Sequence, residues 1–217
     1  MIGLLLAAAA AAAGSFQADF PEAATTKGAH EQRLKGASGF AAKDLGATPA
    51  KAARAFLDKY GAAFGVGEPF ELVLRGEPDK GGPVRFERRI GAWPLFDGDV
   101  VVGVDASNAV ILVNAADVPQ AVVKKGRITR AAAIEAAKAA IHDLVTDDQP
   151  KAQRGYRAVG GTIRPVWRVE LVAERPAGDW RTDVDARTGK VLSRVNLRAD
   201  GGGLAAPKNV GSLGTKK

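Results

Sequence analysis

A chain that turns the same corner twice has few ways to fold. Residues 104–113 read VDASNAVILV, and residues 184–195 read VDARTGKVLSRV. Each time an apolar run reaches Asp-Ala, a short polar turn follows, and an apolar run resumes. Asp105 and Asp185 are placed to accept hydrogen bonds from backbone amides within the turn. Asn108 and Gly189 suit the left-handed backbone that sends a strand back on itself. The local solution is a hairpin, and its recurrence predicts two similar units in tandem.

What precedes each corner supports that reading. Thr48-Pro49 opens a helix, with Thr48 as cap and Pro49 in the first turn, where a missing N–H costs nothing. Ala53, Phe56, Leu57, Tyr60 and Phe64 then recur at three- and four-residue spacing and form one apolar face. Gly61 weakens the last turn, and Gly65 and Gly67 end it. Strands are expected at 70–74 and 84–90, parted by the turn residues Pro78 to Pro83, and again at 93–96, 99–104 and 110–113. After a connector holding Pro119 and Gly126 the pattern restarts. Thr129 caps a helix whose face is Ala133, Ile134, Ala137, Ile141 and Leu144, closed by Asp147-Asp148-Gln149-Pro150. Strands follow at 165–172, 180–184 and 191–195. The expected fold class is α+β, two tandem lobes, each a helix on an antiparallel meander that ends in an Asp-initiated hairpin.

The remaining segments read as follows. Residues 1–18 contain an apolar block too short for a stable bilayer anchor, followed by small residues. They are expected to be an export signal cleaved near Phe16, with Ala13 and Ser15 as the small residues at the cut. Residues 19–47 lack sustained periodicity and read as a flexible lead-in. The lobes span 48–117 and 128–197, joined by a linker at 118–127, and 198–217 is a Gly-rich flexible tail. Aromatic residues make up only 6% of the chain, so Val, Leu, Ala and Ile are expected to build most of the core. The chain has no Cys, which removes disulfides, thiol catalysis and thiolate metal sites. Its net charge is +7, but basic residues alternate with Asp and Glu, as in Arg85-Phe86-Glu87-Arg88-Arg89. The densest run, Lys124-Lys125-Gly126-Arg127, lies in the connector. That interleaving speaks against a nucleic-acid partner and for solvated surface charge. After signal removal no membrane segment is expected, and the localisation is secreted or periplasmic.

Chemistry-bearing patterns are incomplete throughout. His30-Glu31-Gln32-Arg33-Leu34 begins like a helical zinc-protease motif, but Leu34 stands where the second ligand is needed. His142 sits beside Asp143 near the end of the second predicted helix, where a structural role fits better. Asp183-Val184-Asp185-Ala186-Arg187-Thr188 starts like a calcium loop, then puts Arg187 and Arg194 at ligand positions. Asp97 and Asp99 offer at most a weak surface cation site. Gly36-Ala37-Ser38-Gly39 lacks the strand-to-helix setting of a nucleophile elbow. No catalytic, cofactor or metal residue is assigned, no cofactor is expected, and the chain reads as a non-enzyme. Arg85 and Arg88 are expected on an exposed strand face.

The order of elements resembles a known arrangement. Residues Phe56 to Val113, with FLDKYGAAFGV and then VRFERRIGAWPLFDGDVVVGVD, resemble the FTP domain, the first propeptide module of fungalysin and thermolysin precursors. Gly91 to Phe96 and Gly98-Asp99-Val100 hold the places of its turn and following strand. ITRAAAIEAAKAAI, RPVWRVELVA and WRTDVDARTGKVL are similar to a PepSY domain. Arg88-Arg89 and Asp97 depart from the usual FTP pattern, and no HExxH protease domain follows in this chain. The resemblance implies a prosegment whose partner is a thermolysin- or fungalysin-like zinc metallopeptidase, bound in cis as in the family or else in trans. The implied role is inhibitor, folding assistant, or both. Two other readings stand beside it: the truncated front of a metalloendopeptidase precursor, and a stand-alone binding module for an anionic polymer.

Overall fold

From Ala24 onward, the described residues form elements in the order ββαηβββββαββββ, with one short 3-10 turn, and these build the two lobes. The structure is a computed structural model, and it describes residues 15–30, 33–121 and 126–198. The fold is α+β with antiparallel sheets, as the patterning requires.

In the first lobe, helix α1 (Pro49–Tyr60) is capped by Thr48, whose hydroxyl accepts from Lys51 N at 3.3 Å. It buries Ala52, Ala53, Phe56, Leu57 and Tyr60, close to the expected stripe. A 3-10 turn, Gly61–Phe64, follows and stops at Gly65, which has φ +66°. The meander β3 (Glu71–Gly76), β4 (Gly82–Ile90), β6 (Val100–Val104) and β7 (Val110–Ala115) lies beneath the helix, and β5 (Trp93–Pro94) pairs with β4. Beyond β7 the sheet continues into β2 (Leu34–Ala42) and then β1 (Ala24–Lys27).

Those two outer strands correct the expectation of a flexible lead-in at 19–47. β2 pairs antiparallel with β7 through Gly36↔Asn114, Ala37↔Val113 and Ser38↔Leu112. The pattern is hard to read because the register shifts between Ser38 and Ala42, around Gly39 at φ +74°. Buried Leu34, Ala37, Phe40 and Ala42 therefore do not alternate at period two. Upstream, residues 15–19 are helical and Phe16 is wholly buried. The expected signal boundary at 18 conflicts with that burial, because Phe16 is part of the core. It packs against Phe20, Phe40, Phe56, Tyr60 and Phe64 at centroid distances of 5.2–6.1 Å. The first lobe thus adds an aromatic cluster to a core whose other buried members are Val, Leu and Ala, as expected from the composition.

The second lobe repeats the plan. Helix α2 (Arg130–Ala139) is capped by Thr129, which accepts from Ala132 N at 3.2 Å. It lies on the sheet β8 (Lys151–Val159), β9 (Thr162–Ala173), β10 (Gly178–Asp185) and β11 (Val191–Asn196), whose spatial order is sequential. Here the core is aliphatic, with Ala133, Ala137, Val169 and Val184 in its centre. Two expectations change. The helix ends well before Asp147, so Ile141 and Leu144 pack against Leu171, Ala173 and Trp180 from a non-helical segment. The stretch read as a polar lead into Pro165 contains β8, and β9 starts earlier, at Thr162. β8 escapes pattern reading because Lys151, Gln153, Arg154 and Arg157 leave it without apolar alternation.

Both repeated corners form as expected. Asp105 Oδ1 accepts from Ser107 N at 2.8 Å and Ala109 N at 2.9 Å. Asp185 Oδ1 accepts from Arg187 N at 2.8 Å and Thr188 N at 3.1 Å. Asn108 and Gly189 have φ of +67° and +75°. A Cβ at Gly189 would meet nothing closer than Ile128 Cδ1 at 3.7 Å, so only the backbone conformation opposes it. Gly189→Ala is expected to cost about 1 kcal/mol in chemical denaturation, and a larger loss would mean that packing also suffers. The proposed tail at 198–217 and the basic run at 124–125 lie outside the described residues, apart from Arg198.

Candidate functional site

The features that distinguish this chain from a single helix-on-sheet unit lie where its lobes meet. The turn after β5 carries Leu95, Phe96 and Asp97 onto the edge of β8. Leu95 forms a parallel bridge with Tyr156, and Phe96 N donates to Tyr156 O at 2.8 Å. Around them Phe70, Leu95, Val118, Tyr156 and Ile163 form a buried cluster drawn from both lobes. Arg154 places its guanidinium 3.9 Å from the Trp93 ring, and Arg168 lies 4.2 Å from the Phe96 ring. Phe96 fits only because residue 155 is Gly. A Cβ there would stand 2.5 Å from Phe96 Cε2 and 2.8 Å from the Pro94 backbone oxygen. Gly155→Ala is therefore expected to cost about 1–3 kcal/mol and to increase hydrogen exchange of the Phe96 amide. Unchanged exchange at Phe96 would refute this account of the junction.

Beside the junction, the face of the second sheet opposite α2 is charged. Asp183 is almost completely buried and accepts from Arg157 Nη1 at 2.6 Å and from Arg168 Nε at 2.8 Å. Ser193 Oγ joins at 3.3 Å. Arg168 also reaches back to Asp97 of the first lobe, Nη2 to Oδ2 at 2.9 Å. Of these groups Asp97 and Arg168 line an open cleft of about 320 Å³, together with Arg75, Glu87, Asp99 and Arg181. Its charges are mostly mated: Arg75 with Glu87 at 2.5 Å and Arg181 with Glu170 at 2.9 Å. The cleft reads as a neutralised, polar seam.

Two of its carboxyls are displaced in opposite directions. Burial alone would raise Asp97, but the Arg168 hydrogen bond and the Arg168 and Arg157 charges outweigh it and hold it below the usual carboxylate range. Asp99 goes up, first through burial and then through the nearby charges of Glu87 and Asp97. For Asp97 the folded-state value is the depressed one. Its stabilisation is thus present above an unfolded value of about 4 and is lost as pH falls through the lower folded value. More than half of the Asp97 side chain is exposed, so its worth is at most about 1 kcal/mol. The stability gap between wild type and Asp97→Asn is expected to close as pH drops below about 4. A gap that stays constant through that range would sink the assignment.

The residues weighed from sequence fall apart in space. His30 sits in the turn after β1 of the first lobe, and His142 is exposed in the second, 2.7 Å from Asp143. His142 lies beyond the helix end, not within its last turn. Ser38 is exposed on β2. Asp185 is engaged in its turn and lies 3.6 Å from Arg164. Asp97 serves Arg168 in place of a cation. Among the described residues no three His, Cys, Asp or Glu side chains gather as metal ligands. Arg85 is exposed as expected, but Arg88 is fully buried. It shares the inward phase of β4 with Val84 and Phe86. The alternation of residues 84, 86 and 88 carries this phase in the sequence, and the charge of Arg88 masks it.

Residues 127–195 match the family model of the peptidase propeptide and YPEB domain, PepSY. The second lobe is a PepSY domain. The match takes in α2, the whole four-stranded sheet and the Asp185 corner. PepSY domains are in general non-catalytic regulatory modules, found in propeptides and in peptidase-associated or binding modules. They occur in extracellular or periplasmic proteins. Among the described residues no helix is long and apolar enough to cross a membrane. Among solved structures, the Bacillus megaterium YpeB C-terminal domain is similar at 14% identity, over 76% of this chain and 72% of that one, with a TM-score of 0.36. No curated protein matches the sequence.

Proposed function

We propose that this chain is an exported propeptide-like module that binds a zinc metallopeptidase of the thermolysin or fungalysin type, as inhibitor, folding assistant or both. The observation that carries the reading is the PepSY domain fused to a first lobe of the same helix-on-meander plan. The FTP-like run from Phe56 to Val113 supplies that first lobe. Its physical basis is complementarity: a rigid preformed surface that binds the native peptidase better than the unfolded one lowers the native state by mass action. Such a surface needs no reactive group. The basic test is to add the purified protein to a thermolysin-type peptidase and follow both inhibition and refolding yield. Dose-dependent inhibition or a raised yield is expected, and no effect at micromolar excess would overturn the reading.

Export is part of the same proposal. The apolar block before Gly14 acts as the signal, and the cut falls at Ala13, upstream of Phe16. Mass spectrometry of the exported protein is expected to find Phe16 retained. A mature chain starting beyond Phe16 would refute the placement, because the core would then lack its central ring.

A further inference from the structure

The two lobes share one plan, but their last strands are treated differently. In the first lobe β7 closes the meander, and β2 adds to its outer edge, antiparallel. In the PepSY lobe β11 occupies the same place. Val104↔Val110 and Val102↔Val113 in the first lobe match Val184↔Val191 and Thr182↔Arg194 in the second. Yet among the described residues no strand pairs with the outer side of β11. The stretch of β7 that β2 covers, residues 110–114, corresponds to Val191–Val195.

The backbone there is ready to pair. Leu197 N donates to Asp179 O at 2.7 Å, so this position faces β10. An antiparallel ladder alternates, so Val195 and Ser193 face β10 too, and the N–H and C=O of Arg194 and Asn196 point outward. The other sheet edges are blunted. Arg54 Nη2 takes Leu72 O on the edge of β3 at 2.8 Å. β8 receives Leu95 and Phe96, and β1 has four residues. Natural sheets seldom leave a long edge bare without cause.

Charge selects the occupant. Arg187, Lys190 and Arg194 are exposed around β11. The nearby Asp183 and Asp185 are buried and face Arg157, Arg168 and Arg164. Leu192 and Val195 are half-buried, and Leu197 is 40% exposed. A second copy of β11 would bring like charges together. The chain's own 199–217 carries Lys208, Lys216 and Lys217 against one Asp, with Pro207 in the middle, and suits the edge poorly.

We propose that the outer edge of β11 is a strand-addition site that takes an extended acidic, part-apolar segment of a partner polypeptide, antiparallel to Val191–Asn196. The backbone bonds supply affinity, and Lys190 and Arg194 select acidic side chains. This goes beyond the peptidase reading and does not depend on it, because the probe below is not a peptidase.

The test uses the full chain and two blocked ten-residue peptides, one alternating Glu and Val, the other Lys and Val. Fluorescence anisotropy is expected to show binding of the Glu peptide, weakened at least tenfold by the Lys190→Glu, Arg194→Glu double change. Raising the salt should weaken it as well. Hydrogen exchange should slow at the Arg194 and Asn196 amides when the peptide binds. Arg194→Pro, which removes an outward N–H and no ladder bond, should abolish binding; if it fails to fold, the double change decides alone. Equal binding of the Lys peptide, or binding indifferent to both variants, would overturn the proposal. So would protection of these amides without peptide, since the edge would then already be covered by the chain's own tail or a second copy.

Discussion

Phe16→Ala is expected to lower the stability of the chain by about 3–5 kcal/mol, the cost of removing a large ring from a filled core. Phe16 is 0% exposed and touches five other rings, four of them edge-on. Edge-to-face geometry adds a directional term to the area buried. The residue belongs to a short helical stretch that has few other anchors. Asp19 accepts from Tyr60 Oη at 2.5 Å and from Lys59 Nζ at 3.1 Å, and Phe20 N donates to Phe16 O at 2.9 Å. The hydrogen bonds from Tyr60 and Lys59 hold the Asp19 carboxyl below its ordinary range. Because the Asp19 pair is exposed, the ring dominates. Denaturation of the first lobe, followed by circular dichroism, checks this: Phe16→Leu should recover part of the loss, and a loss below about 1 kcal/mol would show that the segment is not part of the folded core.

The second large effect is at Arg88. Its guanidinium is 0% exposed and reaches three backbone carbonyls: Ala116 O at 2.8 Å, Phe64 O at 3.1 Å and Gly98 O at 3.2 Å. One side chain thus ties the end of the α1 segment, the turn that enters the lobe junction and the exit from β7. Burial first, and then the charge of Arg33, push its pKa down to about 10, so at neutral pH it remains a buried cation. Replacing a buried ion by an apolar side chain sometimes stabilises a protein. That outcome is not expected here, because Arg88→Met would leave carbonyls buried without their donors, at about 1–3 kcal/mol each. Both Arg88→Met and Arg88→Ala are expected to cost at least about 3 kcal/mol, with Arg88→Lys in between. A Met variant as stable as the wild type would show that the carbonyls find other donors.

How much of this was open to sequence reading depends on whether the controlling contacts are local. Both helix starts and both Asp corners were legible, since a Thr hydroxyl or an Asp carboxylate reaches amides two to four residues away and needs no third segment. The α1 stripe was legible because its period survives in the chain. β2 was not, since the bulge at Gly39 breaks the alternation and its partner β7 lies some seventy residues downstream. β8 was not, because its sequence lacks apolar alternation and the cover over Gly155 and Tyr156 comes from Phe96 and Trp93 of the other lobe. The polar seam likewise needs Asp97, Arg157, Arg168 and Asp183 to meet from separate strands, and nothing in their spacing announces it. That Asp183 accepts from two arginines was not legible either, since Arg157 and Arg168 come from other strands.

The amino-acid order by itself determined two helix-on-meander units and the hairpins that close them, because caps, turns and apolar periods act over a few residues. Only the tertiary structure decided that the N-terminal segment supplies the core's central ring and two more strands. It also decided that Arg88 is swallowed and that, among the described residues, one lobe's terminal strand is covered while the other's carries no further strand. Those outcomes depend on which distant surfaces meet, and the free energy that selects them comes from area and hydrogen bonds shared between segments, which no single segment records.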